Sequence, residues 1–207
     1  MIAIIDYGVG NLFSLKSSFA AIGAEVKVTA EKAEIEKADK IILPGVGAFE
    51  DAAEKLRQSG LVDVIKEQTA NGKPLMGICL GMQMLFEKSY EYGEHDGLGL
   101  IKGSVKSIAD VIPKEYKIPH IGWNALKFKK DNPLFKYISE GDCVYFVHSF
   151  YAADCDDAVI ATAEYGAELT AAVADGNIFG CQFHPEKSGK VGLNILKAFV
   201  EMGDSLC

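Results

Sequence analysis

A cysteine lies at a predicted sharp turn in the stretch KPLMGICLGMQMLFE at 73–87. Residues 75–78 are typical of a buried strand, and the residues after Cys79 favour a helix. Strand, tight turn and helix form the context in which G-x-S-x-G marks a nucleophile elbow, and here Cys79 replaces the serine in GICLG. The start of a helix also favours a thiolate over a thiol. The pattern predicts a cysteine nucleophile, with a small buried cysteine as the alternative.

A histidine and a glutamate two residues apart, His184 and Glu186, lie in QFHPEK at 182–187 after an apolar segment. A cysteine nucleophile needs a base, and the base needs a group that fixes its tautomer and orientation. At a strand end, residues two apart face the same way, so the imidazole and the carboxylate are expected to lie together. A surface histidine beside an ordinary carboxylate is the alternative. One His and one Glu without a third ligand are weak evidence for a metal site.

Backbone amides that stabilise a developing oxyanion are expected at two places. PGVG at 44–47 follows the third predicted strand, and in a parallel sheet such a loop can lie beside the turn after the fourth strand. This loop is expected to supply one donor, and the amide of Leu80 is expected to supply the other. A tight turn that requires glycine accounts for PGVG whether or not the loop supplies a donor.

The elements that position these residues alternate between strand and helix over roughly the first 90 residues, which predicts a parallel sheet with helices on both faces. From about residue 97 the segments become short and strand-like, with turn signals between them. No linker, repeat or low-complexity tract divides the chain. Residues 1–207 are therefore expected to form one α/β domain around a central mixed, mostly parallel sheet.

The predicted element boundaries follow from periodicity and turn residues. Strands are predicted at 2–5, 25–29, 40–43, 75–78, 97–108, 118–128, 143–152, 158–163, 169–174 and 177–183. Helices are predicted at 12–22, 31–37, 49–58, 61–70 and 191–202, and Asn11 is expected to cap the first. Asp175-Gly176-Asn177 is typical of a hairpin turn. Cys143 and Cys181 fall in predicted strands and are expected to be buried.

Composition excludes several classes of protein. Hydrophobic residues make up 49% of the 207, enough for a sizeable core, yet no apolar run reaches the ~18 residues of a membrane span. A net charge of −8 disfavours binding to nucleic acid or anionic membranes. Five cysteines without a close CxxC pair indicate no disulfide framework and fit a reducing cytoplasm. MIAIID at the start has no basic region, which argues against a signal peptide.

A glycine-rich loop, DYGVGN at 6–11, invites a nucleotide-binding interpretation. It lacks the third glycine of GxGxxG, and no acidic residue follows the second strand where a ribose would bind. The remaining histidines, His95, His120 and His148, lie in unrelated segments and add no metal-binding pattern. No cofactor and no metal are therefore expected.

GICLGMQ at 77–83, preceded by PGVG and followed roughly a hundred residues later by QFHPE, resembles the class I (triad) glutamine amidotransferase family. Within that family, DYGVGN at 6–11, PHIGWN at 119–124, YFVHSF at 145–150 and HPEKSG at 184–189 resemble the glutaminase subunits of imidazole glycerol phosphate synthase. The resemblance covers almost the whole chain. Each motif is weak alone, but together and in this order they are specific.

The resemblance implies that the chain hydrolyses L-glutamine to glutamate and ammonia. Cys79 would attack the side-chain amide and His184 would take the thiol proton, later protonating the departing ammonia. Glu186 would orient His184. Gly47 and Leu80 match the positions whose amides stabilise the oxyanion.

The same resemblance implies a set of substrate-binding residues. Gln83 and Glu91 match positions that hold the glutamine head group. Ser149 and Phe150 match a backbone clamp on the substrate. Phenylalanine replaces the tyrosine that is typical of the last position, so the backbone contact is the one that carries over.

A partner is implied as well. Ammonia would pass to a separate (β/α)8-barrel cyclase subunit, in a heterodimer that makes imidazole glycerol phosphate and AICAR in histidine biosynthesis. Asn11 and Lys187 match positions at the subunit boundary. Trp123, the only tryptophan, is the predicted interface anchor, with a core tryptophan under a strand as the alternative. Because PGVG can reorient its peptides easily, weak glutaminase activity is expected without the partner.

Other functions remain open from the sequence. The chain could serve another ammonia-using synthase, of the pyridoxal phosphate or anthranilate type, with the same triad. A non-catalytic regulatory module on the same fold is a further alternative, although the presence of all three triad residue types argues against it. In a cysteine peptidase or chaperone-like hydrolase the histidine would lie on a different loop, without Pro-Glu after it.

Overall fold

A computed structural model describes residues 1–203. Within this range the chain forms thirteen strands and six α-helices. The strands are β1 (Ile2–Ile5), β2 (Val26–Thr29), β3 (Lys40–Leu43), β4 (Leu75–Ile78), β5 (Phe86–Ser89), β6 (His95–Asp96), β7 (Ile101–Ser107), β8 (His120–Phe128), β9 (Cys143–His148), β10 (Phe150–Ala153), β11 (Val159–Glu164), β12 (Glu168–Asp175) and β13 (Ile178–Cys181). The helices are α1 (Leu12–Ala21), α2 (Lys32–Lys37), α3 (Phe49–Gln58), α4 (Val62–Ala70), α5 (Leu80–Gln83) and α6 (Gly189–Glu201).

Nine strands form one large sheet in the order β2-β1-β3-β4-β13-β12-β11-β8-β9. From β2 to β13 every neighbouring pair is parallel, and from β13 to β9 every pair is antiparallel. In β1, β3 and β4 every residue is buried, as in strands that are covered on both faces. The predicted mixed sheet is confirmed. Its parallel half holds the first four strands of the chain.

Helices cover both faces of the parallel half, as predicted. On one face α2, α3 and α4 contribute buried side chains such as Ile35, Leu56 and Ile65. On the other face α1 and α6 meet, and Phe19 and Phe199 are fully buried there. Each burial of a large aliphatic or aromatic side chain contributes roughly 1.5–3 kcal/mol relative to exposure, so these two layers hold the sheet in place.

The hairpin between β12 and β13 brings the C-terminal part of the chain beside β4. Asp175 pairs with Ile178 across a turn at Gly176-Asn177, as the sequence predicted. Strand β13 then lies parallel to β4, with Cys181 opposite Ile78. Two segments about a hundred residues apart in sequence therefore end at the same edge of the sheet.

A second, four-stranded sheet in the order β10-β7-β5-β6 was not predicted. The predicted single strand at 143–152 is wrong, because the chain breaks at Ser149. Before the break β9 pairs with β8 in the large sheet, and after it β10 pairs with β7 in the small one. The helix predicted after Cys79 is also short: α5 is a single turn, and the chain soon enters β5.

Three local predictions are corrected by the structure. Asn11 lies at the start of α1, but its side chain makes no capping hydrogen bond. Cys143 is exposed at the beginning of the edge strand β9, whereas Cys181 is buried as expected. Cys207 lies outside the described residues. Across residues 1–203, the helices are all too short or too polar to cross a bilayer.

Candidate active site

Cys79 occupies the turn between β4 and α5, with φ 55° and ψ −112°. This positive-φ conformation is strained for a residue with a side chain and persists only where its surroundings fix it. The Cys79 amide donates to the carbonyl of Cys181 at 2.8 Å. A Cβ on Gly81 would lie 1.9 Å from the carbonyl oxygen of Leu43, so only glycine fits there. The turn thus has the geometry of a nucleophile elbow.

His184 and Glu186 form a buried pair. Nδ1 of His184 lies 2.8 Å from Oε1 of Glu186, and the two side chains are 3% and 1% exposed. A carboxylate only accepts, so Nδ1 carries the proton and Nε2 is left for another partner. The pair does not alternate along a strand as expected, because β13 ends at Cys181 and Glu186 lies in the short 3₁₀ turn Pro185–Lys187. The turn itself brings the two side chains together.

The electrostatics of His184 indicate an interaction with the sulfur of Cys79. Burial alone would lower the pKa of His184, but hydrogen bonding to Cys79 and Glu186 outweighs burial and raises this pKa to about 9. Near neutral pH the imidazole is therefore able to hold a proton that comes from the thiol. Such a pair can generate a thiolate nucleophile and later return the proton to a leaving group.

The turn that carries His184 is fastened to strand β9. The amide of His184 donates to the carbonyl of Tyr145 at 3.0 Å. The hydroxyl of Ser188 donates to the carbonyl of His184 at 2.6 Å and accepts from the amide of Tyr145 at 2.9 Å. These bonds fix the imidazole relative to the sheet, which is how a scaffold keeps a base in place.

The Pro44–Gly47 loop after β3 packs directly against the elbow, as predicted for neighbouring parallel strands. A Cβ on Gly45 would lie 2.5 Å from the amide nitrogen of Gly81. Gly47 is exposed, with φ 90°, a conformation that suits glycine. Leu80 is the first residue of α5, so its amide has no carbonyl partner within the helix. The backbone hydrogen bonds between the described loops and turns do not use the amide of Gly47 or of Leu80, so both amides are candidate oxyanion donors.

A cavity of about 300 Å³ opens above the cysteine. It brings together nine of the twelve residues that the sequence singled out: Gly47, Cys79, Leu80, Gln83, Glu91, Ser149, Phe150, His184 and Lys187. Glu186 lies behind His184. Asn11 and Trp123 are not among the lining residues. A cysteine, a base, two amide donors and polar walls in one cavity can carry out acyl transfer from an amide or ester.

Comparison with protein families separates the family that the motifs resemble from the peptidase and chaperone-like hydrolase alternatives. The model of the family described as "Glutamine amidotransferase class-I" matches residues 3–202. The chain belongs to the class I glutamine amidotransferases. The alternatives of a peptidase or a chaperone-like hydrolase are thereby excluded.

Curated relatives of this amidotransferase have a narrower description. A protein of Caldanaerobacter subterraneus subsp. tengcongensis named "Imidazole glycerol phosphate synthase subunit HisH" is 51% identical over 203 residues, which is 98% of both chains. Proteins of the same name from Bacillus cytotoxicus and Lactococcus lactis subsp. lactis are 51% and 50% identical, over 96% and 97% of this chain and 93% and 98% of theirs.

Solved structures agree on the fold of the amidotransferase. The structure described as PurLQS from Thermotoga maritima superposes with a TM-score of 0.75 at 22% identity, covering 96% of each chain. The glutaminase domain of Trypanosoma brucei CTPS with bound acivicin gives a TM-score of 0.67 at 16% identity, covering 98% of this chain and 94% of the other. At these identities the likeness concerns the fold alone.

Two of the predicted substrate residues of the amidotransferase are held by internal bonds. Nε2 of Gln83 donates to the Phe150 carbonyl and to Oε1 of Gln182, both at 3.0 Å. Both amide hydrogens are thereby used, so Gln83 can offer only its oxygen to a ligand. Oε2 of Glu91 accepts from the amide of Phe49 at 2.7 Å, at the start of α3. Burial nevertheless raises the pKa of Glu91.

The predicted backbone clamp lies where the chain crosses from the large sheet to the small one. The carbonyl of Ser149 accepts from the amide of Ile108 at 3.0 Å. The carbonyl of Phe150 accepts from Nδ1 of His148 at 2.8 Å, in addition to its bond with Gln83. The clamp is therefore tied to both sheets, which limits its movement.

Sequence reasoning missed three residues of this neighbourhood. The hydroxyl of Tyr7 donates to the Pro44 carbonyl at 2.7 Å, under the proposed oxyanion loop. Nε2 of Gln182 points to Sγ of Cys79 at 3.8 Å. His148 is buried, and this burial lowers its pKa to about 4. All three residues lie in quoted motifs, DYGVGN, QFHPEK and YFVHSF, and that membership was the one available signal.

Two of the three predicted partner-facing residues, Trp123 and Lys187, lie on the surface around Tyr145. Trp123 is 55% exposed, which excludes the core tryptophan that the sequence left open. Its ring contacts Tyr145 edge-on, with centroids 6.0 Å apart. Nζ of Lys187 lies 5.9 Å from the centroid of the same tyrosine ring. Trp123, Tyr145 and Lys187 therefore form one continuous surface that leads to the cavity.

Proposed function

We propose that this chain is the glutaminase subunit of imidazole glycerol phosphate synthase and hydrolyses L-glutamine to glutamate and ammonia through Cys79, His184 and Glu186. The observation that carries the proposal is the position of Cys79 at a strained elbow, in one cavity with a His184 that Glu186 orients. The relatives of about 50% identity carry the name of this subunit over nearly their whole length.

The geometry supports a two-stage acyl transfer. His184 accepts the proton of the Cys79 thiol, and the thiolate attacks the δ-carbon of the glutamine carboxamide. The amides of Gly47 and Leu80 bind the oxyanion that forms. The C–N bond then breaks and His184 returns its proton to the nitrogen. Ammonia departs, and a glutamyl thioester remains on Cys79. Water, deprotonated by His184, then attacks the thioester carbon. The C–S bond breaks, glutamate is released, and His184 returns the proton to the sulfur of Cys79.

Four residues bind the glutamine in this proposal. Gln83 offers its Oε1 atom to the α-ammonium end of the substrate, and Glu91 offers its carboxylate to the same end. Ser149 and Phe150 contribute backbone groups that hold the substrate along the cavity wall. The small volume of about 300 Å³ suits an amino acid of this size.

The ammonia is consumed by a partner, which we propose to be a (β/α)8-barrel cyclase that binds as the second subunit of a heterodimer. Asn11, Trp123 and Lys187 belong to the contact surface, with Trp123 as its anchor, because an exposed tryptophan is typical of an interface hot spot. The product is imidazole glycerol phosphate together with AICAR. A cytoplasmic location remains a prediction from cysteine usage.

A coupled assay tests the proposal. The chain is mixed with the cyclase subunit and its phosphorylated ribulosyl substrate, and imidazole glycerol phosphate formation is measured with glutamine and, separately, with ammonium. Cys79→Ala is expected to abolish the glutamine-dependent reaction and keep the ammonium-dependent one. The matched control is Cys143→Ala, which removes an exposed thiol and is expected to keep both. Glutamine-dependent product from Cys79→Ala would contradict the proposal.

A further inference from the structure

Two buried side-chain amides link a backbone carbonyl to the sulfur of Cys79. Nε2 of Gln83 donates to the Phe150 carbonyl at 3.0 Å and to Oε1 of Gln182 at 3.0 Å. Nε2 of Gln182 then lies 3.8 Å from Sγ of Cys79. Gln182 is fully buried and Gln83 is 4% exposed. The triad does not account for these contacts.

The direction of this chain of bonds is fixed by donor and acceptor chemistry. A backbone carbonyl only accepts, so Gln83 must present its NH₂ group to Phe150. The second hydrogen of that NH₂ group requires the oxygen of Gln182 to face it. The NH₂ group of Gln182 must then point the other way, toward the sulfur. Flipping either amide would set oxygen against oxygen or hydrogen against hydrogen.

The carbonyl at the start of the chain is itself held. Nδ1 of His148 lies 2.8 Å from the Phe150 oxygen, so this carbonyl accepts two hydrogen bonds, one for each lone pair. Burial lowers the pKa of His148 to about 4, so the ring is neutral at pH 7 and carries one proton. That proton lies on Nδ1 when the ring donates to Phe150. The bond from His148 keeps the carbonyl from turning away from Gln83.

A buried N–H group aimed at sulfur favours the thiolate over the thiol. A hydrogen bond to an ionised acceptor is roughly twice as strong as one between neutral groups. The effect is larger where water is excluded, and Cys79 is 8% exposed. When the proton moves from Sγ to His184, the charge that develops on sulfur thus faces a donor that is already in place.

We propose that Gln182 is a further catalytic residue, whose Nε2–H group donates to the thiolate of Cys79 and is oriented by Gln83 and the Phe150 carbonyl. The inference rests on the proposed function, because it concerns the same nucleophile. It adds a donor on the side of the sulfur and leaves the roles of His184 and Glu186 unchanged. Its consequence is a larger thiolate fraction at neutral pH.

The pH profile of Cys79 alkylation tests this role without glutamine. The chain is treated with iodoacetamide between pH 5 and 10, and modification of the Cys79 peptide is followed by mass spectrometry. Gln182→Met keeps the size of the side chain and removes the N–H group. We expect the pH of half-maximal alkylation to rise by at least half a unit. Near pH 6 this rise corresponds to an alkylation rate about threefold lower than that of the wild type. Gln58→Met, at an exposed glutamine on α3, is the control and should give the wild-type profile.

The sign of the shift separates the outcomes. An unchanged or lower midpoint of the alkylation profile in folded Gln182→Met would overturn the inference, because it would show that the N–H group of Gln182 does not stabilise the thiolate. If Gln182→Met does not fold, Gln182→Glu takes its place, because it keeps an oxygen for Gln83 and replaces the donor with an anion. A rise of one unit or more is then expected, and an unshifted profile would overturn the inference. A different result, glutamine-dependent activity of Cys79→Ala, would contradict the proposed function.

Discussion

Cys79 shows how a single residue can be prepared for chemistry by its backbone. Its φ of 55° is rare for a residue with a Cβ and places the sulfur at the tip of the turn. A side chain at either neighbouring glycine would clash with the surrounding backbone. The amide of Cys79 donates a hydrogen bond to the carbonyl of Cys181 on the adjacent strand. The strain is therefore balanced by contacts from three strands, β3, β4 and β13.

In the proposed mechanism Glu186 acts through the tautomer of His184, and a substitution can test this role. In Glu186→Gln an amide NH₂ can face Nδ1, which would place the imidazole proton on Nε2, where it blocks acceptance of the thiol proton. We expect kcat for glutamine hydrolysis to fall about ten-thousandfold, as when a comparable triad carboxylate becomes an amide. Steady-state kinetics in the presence of the cyclase measure it. Glu115→Gln, at an exposed site, should leave kcat unchanged, and an equal kcat in both variants would refute the role of Glu186.

Residues with reactive side chains in dense motifs could be predicted from the sequence, and supporting residues could not. Cys79, His184 and Glu186 lie in patterns that require their chemistry. Gln182 contacts a residue 99 positions away, and the pairing of His148 with His120, at 3.0 Å, spans 28 positions. Such contacts depend on strand order and register, which periodicity does not encode.

At the scale of elements, we expect part of the Pro44–Gly47 loop to be able to change conformation. Its first half is fixed, since Gly45 packs on the elbow and the Pro44 carbonyl accepts from Tyr7. Its second half, Val46 and Gly47, is exposed. A partner bound over this half could select the peptide orientation that aims an amide at the oxyanion, which is the physical basis of the expected weak activity without the cyclase.

Removal of the Tyr7 hydroxyl should loosen this loop. Burial, together with the nearby Cys79, raises the pKa of Tyr7 far above its usual value, so the hydroxyl stays a donor to Pro44 at every working pH. Tyr7→Phe leaves a buried carbonyl without its partner, and we expect a loss of about 1–2 kcal/mol of unfolding free energy. We also expect kcat to fall severalfold at unchanged KM. Denaturant unfolding and kinetics, with Tyr116→Phe as control, test this. Wild-type kcat in Tyr7→Phe would show that the loop is held by other contacts.

The element boundaries divide into those that local sequence determines and those that it does not. Helix α3 and strands β1, β3 and β4 match their predicted ranges because apolar periodicity and turn residues agree there. The break at Ser149 was missed, since the residues on both sides favour strands and only pairing with different sheets separates them. Strands β5 and β6 were missed for a similar reason: residues after a nucleophile elbow usually continue as a helix.

At the scale of the molecule, the site exists because two distant segments become neighbours in a parallel pair. Strands β4 and β13 lie side by side with Cys181 opposite Ile78, so the residues that follow each strand meet at one edge. Cys79 follows the first strand and His184 follows the second. The antiparallel half of the sheet, through β9, then fastens the histidine turn and provides the surface around Trp123.

The buried histidine pair makes the stability of the whole molecule depend on pH. Burial lowers the folded pKa of His148 to about 4, below its unfolded value near 6.5. Between these values the unfolded chain binds a proton that the folded chain does not, so acidification destabilises the fold. We expect His148 to account for a loss of about 2 kcal/mol between pH 7 and pH 5. Urea unfolding of wild type and His148→Gln should show a smaller loss in the variant. Parallel pH dependences would contradict this.

Covalent trapping of the nucleophile tests the central claim most directly. The chain, together with the cyclase subunit, is incubated with a chloroketone analogue of glutamine, and the modified peptide is identified by mass spectrometry. We predict one adduct per chain on Cys79, prevented by excess glutamine and formed at least tenfold more slowly in His184→Ala. An adduct confined to another cysteine such as Cys143, or an equal rate in His184→Ala, would contradict the assignment of a thiolate that His184 generates and glutamine reaches.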